Sequence, residues 1–163
     1  MCRPRLPTIL ALFAAAVVAV AATACGGSDD HSGTLSKSAF AKQANTLCSS
    51  AKTDRDAQLQ QLPPSPSGSA DAQKIHDAAT VDRDLIRRVD ALVPPESEQD
   101  QVDQVLDAWR KRADLEDQYA DAVAAMQDPA SLASFSARQA QIDATTDPVA
   151  IQLGLTDCTR GTP

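Results

Sequence analysis

The sequence predicts an all-α protein: an antiparallel up-down four-helix bundle closed by one disulfide. Aromatic residues make up only 3% of its 163 residues. The β-branched and aromatic runs that build strands are missing. Alanine, leucine, valine and isoleucine must form the core, and alanine is the strongest helix former. Apolar residues also recur at helical spacing over four long stretches separated by short proline-rich breaks, the pattern of helices that run up and down.

Residues 1–24 read as a secretory signal. Arg3 and Arg5 give a basic start with no acid. Thr8 to Ala22 carry no charge and are almost wholly apolar. Ala22-Thr23-Ala24 supplies the small residues of a cleavage site. Spanning a bilayer takes roughly 20 apolar residues, more than this run provides. An ordinary signal peptidase and a lipoprotein peptidase would both cut before Cys25, and they differ in the fate of that cysteine. The lipid reading is preferred, because a lone exported thiol beside a flexible tether is otherwise unexplained. Cys25 would then carry acyl chains, palmitate among them, and two or more such chains anchor stably. Ala22 stands where a bacterial lipobox most commonly has leucine.

Removing 24 of 163 residues leaves 139, enough for one domain. Arg3 and Arg5 leave with the signal, so 13 basic residues face 22 acidic ones and the mature formal charge is −9. Such a surface repels nucleic acid, which is not expected as a partner. Cys2 is lost and Cys25 takes the lipid. The exported pair that remains, Cys48 and Cys158, is expected to form a disulfide.

Residues 25–34 hold Gly, Ser, Asp and His and form a lipidated tether; the bundle occupies 35–163. Helix one starts at Ser36, which can cap it, with Leu35 and Phe40 placed as a hydrophobic staple. Its stripe is Phe40, Ala44, Leu47, Cys48, Ala51, Leu59 and Leu62, and Pro63-Pro64 stops it. The Ser-Pro segment that follows is a plain connector. Helix two runs from about Ala70 to Leu92, with Asp71 in its first turn and Pro94-Pro95 behind it. Helix three begins near Ser97, with Asp100 as a capping-box variant. Its buried side is Val102, Val105, Leu106, Trp109, Ala113, Tyr119, Val123 and Met126. Asp128-Pro129 opens helix four, a cap followed by proline at the first helical position. Asp147-Pro148 either kinks that helix or starts a short fifth one. Gly154 is placed as a left-handed cap with Leu155 as its apolar partner. If Cys48 and Cys158 pair, helices one and four lie side by side, and the Asn45 amide can reach the returning backbone.

Leu35-Ser36-Lys37-Ser38-Ala39-Phe40, Gln43-Ala44-Asn45-Thr46-Leu47-Cys48 and Gly154-Leu155-Thr156-Asp157-Cys158, together with the signal, resemble a group of small helical lipoproteins of actinobacteria. The resemblance covers the signal, the first helix and the last ten or so residues. It implies an envelope lipoprotein with a terminal disulfide. The group has no agreed activity, so no site residues carry over.

Catalytic motifs are weak. Ser49-Ser50-Ala51-Lys52 fits S-x-x-K, but the S-D-N and K-T-G elements of that chemistry are missing. His31 and His76 stand far apart, short of the three or four convergent ligands a transition metal needs, so neither a metal nor a cofactor is expected. Arg83, Arg87, Arg88, Arg110, Lys111 and Arg112 are expected to pair with nearby acids such as Asp84, Asp107 and Asp114. Trp109 and Tyr119 lie on one side of helix three, as core by default and as a possible ligand contact otherwise. The expectation is therefore a non-enzymatic interaction or structural module, lipid-anchored on the extracytoplasmic face of the cell membrane, with an unknown envelope partner. The alternative is a small-ligand-binding lipoprotein with its pocket near Trp109.

Overall fold

The structure is a computed structural model that describes residues 33–160. The signal, the cleavage site, Cys25, most of the tether and His31 lie outside the described residues. Four α-helices follow one another: α1 (Lys37–Leu59), α2 (Gly68–Asp90), α3 (Gln99–Ala124) and α4 (Pro129–Gln152). Short 3-10 turns occupy Glu96–Glu98 and Thr156–Cys158. Among the described residues there is no strand, and no helix is long and apolar enough to cross a membrane.

Local chemistry sets most of the boundaries. The Ser36 hydroxyl caps α1 by accepting the Ala39 N–H at 3.3 Å, and Leu35 packs onto the cluster that holds Phe40. The Leu35 N–H donates to the Val93 carbonyl at 2.8 Å, tying the start of α1 to the α2–α3 connection. Gly68, at φ +77°, turns the chain into α2, two residues before the expected start. Asp128 caps α4 by accepting the N–H groups of Ala130 and Ser131 at 3.0 and 3.1 Å, with Pro129 at the first helical position.

Three details differ from expectation, and one alternative left open by the sequence is resolved. α1 ends at Leu59, and Leu62 lies in the turn that follows. No side chain caps α3. Pro95 leaves the chain extended, and a 3-10 turn with Glu98 N–H on the Pro95 carbonyl leads into the helix instead of a Ser97–Asp100 box. Met126 is not core: α3 stops at Ala124, and the residue is 74% exposed beyond its end. α4 runs through Asp147-Pro148 as one helix, so no fifth α-helix forms. Proline removes one N–H, yet Thr146 folds its hydroxyl back onto the Ile142 carbonyl at 2.8 Å within the same continuous helix.

The helices pack in sequence, α1 on α2, α2 on α3 and α3 on α4. α4 therefore does not lie along α1 as the predicted pairing required. The Thr156–Cys158 turn returns to α1 in its place. Gly154, at φ +79°, and the bonds Gly154 N–H to Ile151 O and Leu155 N–H to Ala150 O reverse the chain there. The Asn45 amide then clamps the returning segment. Its nitrogen donates to the Gly154 carbonyl at 2.8 Å, and its oxygen accepts the Asp157 N–H at 3.0 Å. The Cys48 and Cys158 sulfurs are bonded, with α-carbons 5.1 Å apart.

The core divides in two. The larger cluster joins Phe40, Ala44 and Cys48 to Leu85, Val89, Val105, Leu106, Leu153 and Leu155. The smaller joins Ala72, Ile75, Ala120 and Val123, with Leu59, Leu62, Tyr119 and Leu132 at its edge. Between them in sequence, each of the first three helices contributes a charge: Arg55, Asp82 and Glu116.

Candidate functional site

These charges fall on the apolar stripes themselves. Asp82 follows Ala78 and Ala79 and precedes Leu85 and Ile86 on the buried side of α2; Glu116 lies between Ala113 and Ala120 on α3; Arg55 lies between Ala51 and Leu59 on α1. Helical spacing thus carries Asp82 and Glu116 into the interior, where they are 4% and 3% exposed. Arg55 donates to Glu116 Oε1, and its Nε stands 3.4 Å from Asp82 Oδ2. Arg160, just past the disulfide, donates to the other Asp82 oxygen. A four-membered network of alternating charge results: Arg160, Asp82, Arg55 and Glu116.

The network is incompletely satisfied. Arg55 Nε, Asp82 Oδ2 and Glu116 Oε2 are buried without a hydrogen-bond partner. Burial drives the Glu116 carboxyl above its ordinary value, because desolvation costs the carboxylate more than Arg55 returns. Burial pulls the Arg55 guanidinium down, but Glu116 and Asp82 more than offset this, and it ends raised. Buried pairs of this kind add little net stability, while removing one member leaves an uncompensated charge.

A cavity of about 310 Å³ opens beside this network. The Cys48–Cys158 disulfide and Leu85 form part of its wall. Four cations line it: Lys52 and Arg55 from α1, Arg112 from α3 and Arg160 from the C-terminal segment. Asp56 and Asp157 are the acids in its lining. Each cation is held by a carboxylate: Lys52 by Asp56 at 2.7 Å, Arg112 by Asp143, Arg55 by Glu116 and Arg160 by Asp82. The Ser49 hydroxyl donates to Asp157 at 3.1 Å, so Ser49 and Lys52 are each engaged with an acid. The Arg112 Nε is buried without an acceptor, like the Arg55 Nε.

The structure separates Trp109 from Tyr119. Trp109 packs at the edge of the larger cluster, while Tyr119 packs at the edge of the smaller, its ring centroid 5.7 Å from that of Phe135. They line neither this cavity nor the grooves along α1 and between α3 and α4. His76 is half-buried, its Nδ1 2.9 Å from Asp117 Oδ1 and its Nε2 3.4 Å from Asp121. No group of three metal-ligating side chains gathers among the described residues. Some arginines of α2 and α3 pair at helical spacing, Arg87 and Arg88 with Asp84 and Arg110 with Asp107, whereas Arg83 and Arg112 pair across helices. Arg83 meets Asp114 and Asp117, Arg87 meets Asp84, and Arg110 meets Asp107 and Asp90.

Sequence reasoning missed the network and the cavity. The signal was present: a charge at three stripe positions, on three successive helices. Arg160 carries no such signal, because only the disulfide and the Gly154 turn place it. No family model matches the chain, and no match was found to a curated protein or to a solved structure.

Proposed function

We propose that the protein is an exported lipoprotein, anchored through Cys25 to the extracytoplasmic face of the cell membrane, whose helical domain is a non-enzymatic interaction module of the envelope. The observation that carries this reading is the Cys48–Cys158 bond. Disulfides persist in oxidising, extracytoplasmic compartments, and this one uses every thiol after the signal except Cys25. The unpaired cysteine is the one that follows Ala22-Thr23-Ala24. The acidic mature chain and the resemblance to actinobacterial lipoproteins support the same reading. Cells fed labelled palmitate should label the wild-type protein and not Cys25→Ser. Label that persists in the exported Cys25→Ser protein would overturn the anchor. A second reading, a small-ligand-binding lipoprotein, is favoured by one observation, the basic cavity beside the disulfide.

A further inference from the structure

We propose that the cavity beside the Cys48–Cys158 disulfide binds a small dianion through a phosphomonoester group. This goes beyond the anchoring proposal and does not depend on it. The chain is acidic, yet the cavity is lined by four cations and two acids. Asp82, Glu116 and Asp143, which hold three of those cations, do not line it. The lining therefore holds more cations than acids, and the carboxylates that balance Arg55, Arg112 and Arg160 stand behind it. A phosphomonoester carries about −1.5 to −2 at neutral pH and is drawn to a wall of cations.

The donor set fits as well. Guanidinium groups present planar forks of N–H donors that suit phosphate oxygens. Arg55, Arg112 and Arg160 line the cavity, each with one terminal nitrogen on a carboxylate, and a guanidinium carries five N–H donors, so each has more donors than its partner takes. The geometry is also pre-set. Glu116, Asp143 and Asp82 hold the three guanidiniums, and the disulfide fixes the wall between α1 and the segment carrying Arg160. Little side-chain ordering is left for the binding step. At about 310 Å³ the cavity is at the small end of ligand sites. Its volume suits a small phosphorylated molecule.

The test is calorimetric titration of the exported full-length protein at low salt and pH about 7.5, where phosphate is mainly dianionic. The probes are inorganic phosphate and glycerol 3-phosphate, with acetate at matched ionic strength as the monoanion control. Both phosphates should bind, and acetate should bind much more weakly. Two exposed residues then test the location without threatening the fold, since the Lys52 and Asp56 side chains are 69% and 54% exposed. Lys52→Gln should weaken phosphate binding roughly two- to fivefold, the size of one exposed charge interaction. Asp56→Asn should strengthen it by a similar factor, because it removes an acid from the lining and frees Lys52. Binding of glycerol 3-phosphate without inorganic phosphate would still support the site and would place the ester oxygen or glycerol among the contacts. Absence of binding by both, equal binding of acetate, or phosphate binding that neither substitution moves would overturn the proposal.

Discussion

Met126 closes the end of α3 with a left-handed φ of +52°. The Met126 N–H donates to Val123 O and the Gln127 N–H to Ala122 O, both at 3.1 Å, a turn that glycine usually makes. A side chain in that conformation costs about 1–2 kcal/mol, and this one buries little in return. Met126→Gly should stabilise by about 0.5–1 kcal/mol, after the entropy glycine adds to the unfolded chain. A urea midpoint that fell would contradict this. Gly154 shows the converse: at φ +79°, an added Cβ would sit 3.2 Å from the Ala41 Cβ. Glu116 is the residue whose protonation matters most. Its carboxyl is raised above the ordinary 4.5 by burial, so it holds a proton more tightly folded than unfolded. Stability from this group therefore rises as pH falls through the raised value towards 4.5, and is lost as pH climbs back. Asp117 works in the opposite sense. Burial raises its carboxyl, but bonds from Arg83 and His76 prevail and hold it below 3.8, so its contribution is lost as pH falls through that lowered value. Glu116→Gln should flatten the melting-temperature profile above 4.5 and leave the acid limb below 3.8 unchanged. A slope unchanged above 4.5 would show that Glu116 does not set it.

Among the helices, α4 is the least supported. Its helical neighbour is α3, whereas α2 and α3 are each flanked on two sides. Only Thr146 and Ala150 of its residues are fully buried. The Asp128 cap, the Phe135–Tyr119 ring contact and the Arg112–Asp143 pair hold the rest. Amide exchange should therefore be fastest, among the four helices, over the first half of α4. Asp128→Ala should speed exchange there and leave α1 to α3 unchanged; equal protection across all four helices would contradict this. Stripes, proline breaks, the Asp128 cap and the Gly154 turn are local signals, and they marked the four helices, within a turn of their ends. A stripe gives the buried face of a helix but not its neighbour, which is why α4 was expected along α1. Charges inside stripes are legible as Arg55, Asp82 and Glu116, but their mutual pairing depends on which helices touch. The cavity was not legible, because Lys52, Arg112 and Arg160 come from three segments that only the tertiary fold brings together.

For the molecule as a whole, the disulfide joins the hydrophobic and charged halves of the design. It bridges a separation of 110 residues, and constraining a loop near that length contributes about 4.7 kcal/mol in the chain-entropy account. It also fixes the segment that carries Arg160 against Asp82. Reduction should act in two steps. The Asn45 clamp and the Thr156–Cys158 turn loosen first, since without the bond they rest on a few hydrogen bonds and on Leu155 and Cys158 packing. Arg160 then leaves Asp82, a buried carboxylate whose remaining close cation is Arg55. An unbalanced buried charge is expensive, so the second loss adds to the first. Reduced protein, or Cys48→Ala with Cys158→Ala, should lose amide protection after Leu153 while the cluster of Ile75, Ala120 and Val123 stays protected, and its melting temperature should fall. Arg160→Gln in the oxidised protein separates the two terms. It should lower the melting temperature by less than reduction does, and it should leave protection of the Thr156–Cys158 turn in place. If Arg160→Gln matched reduction in full, the charge network rather than the covalent bond would hold the C-terminal segment to α1.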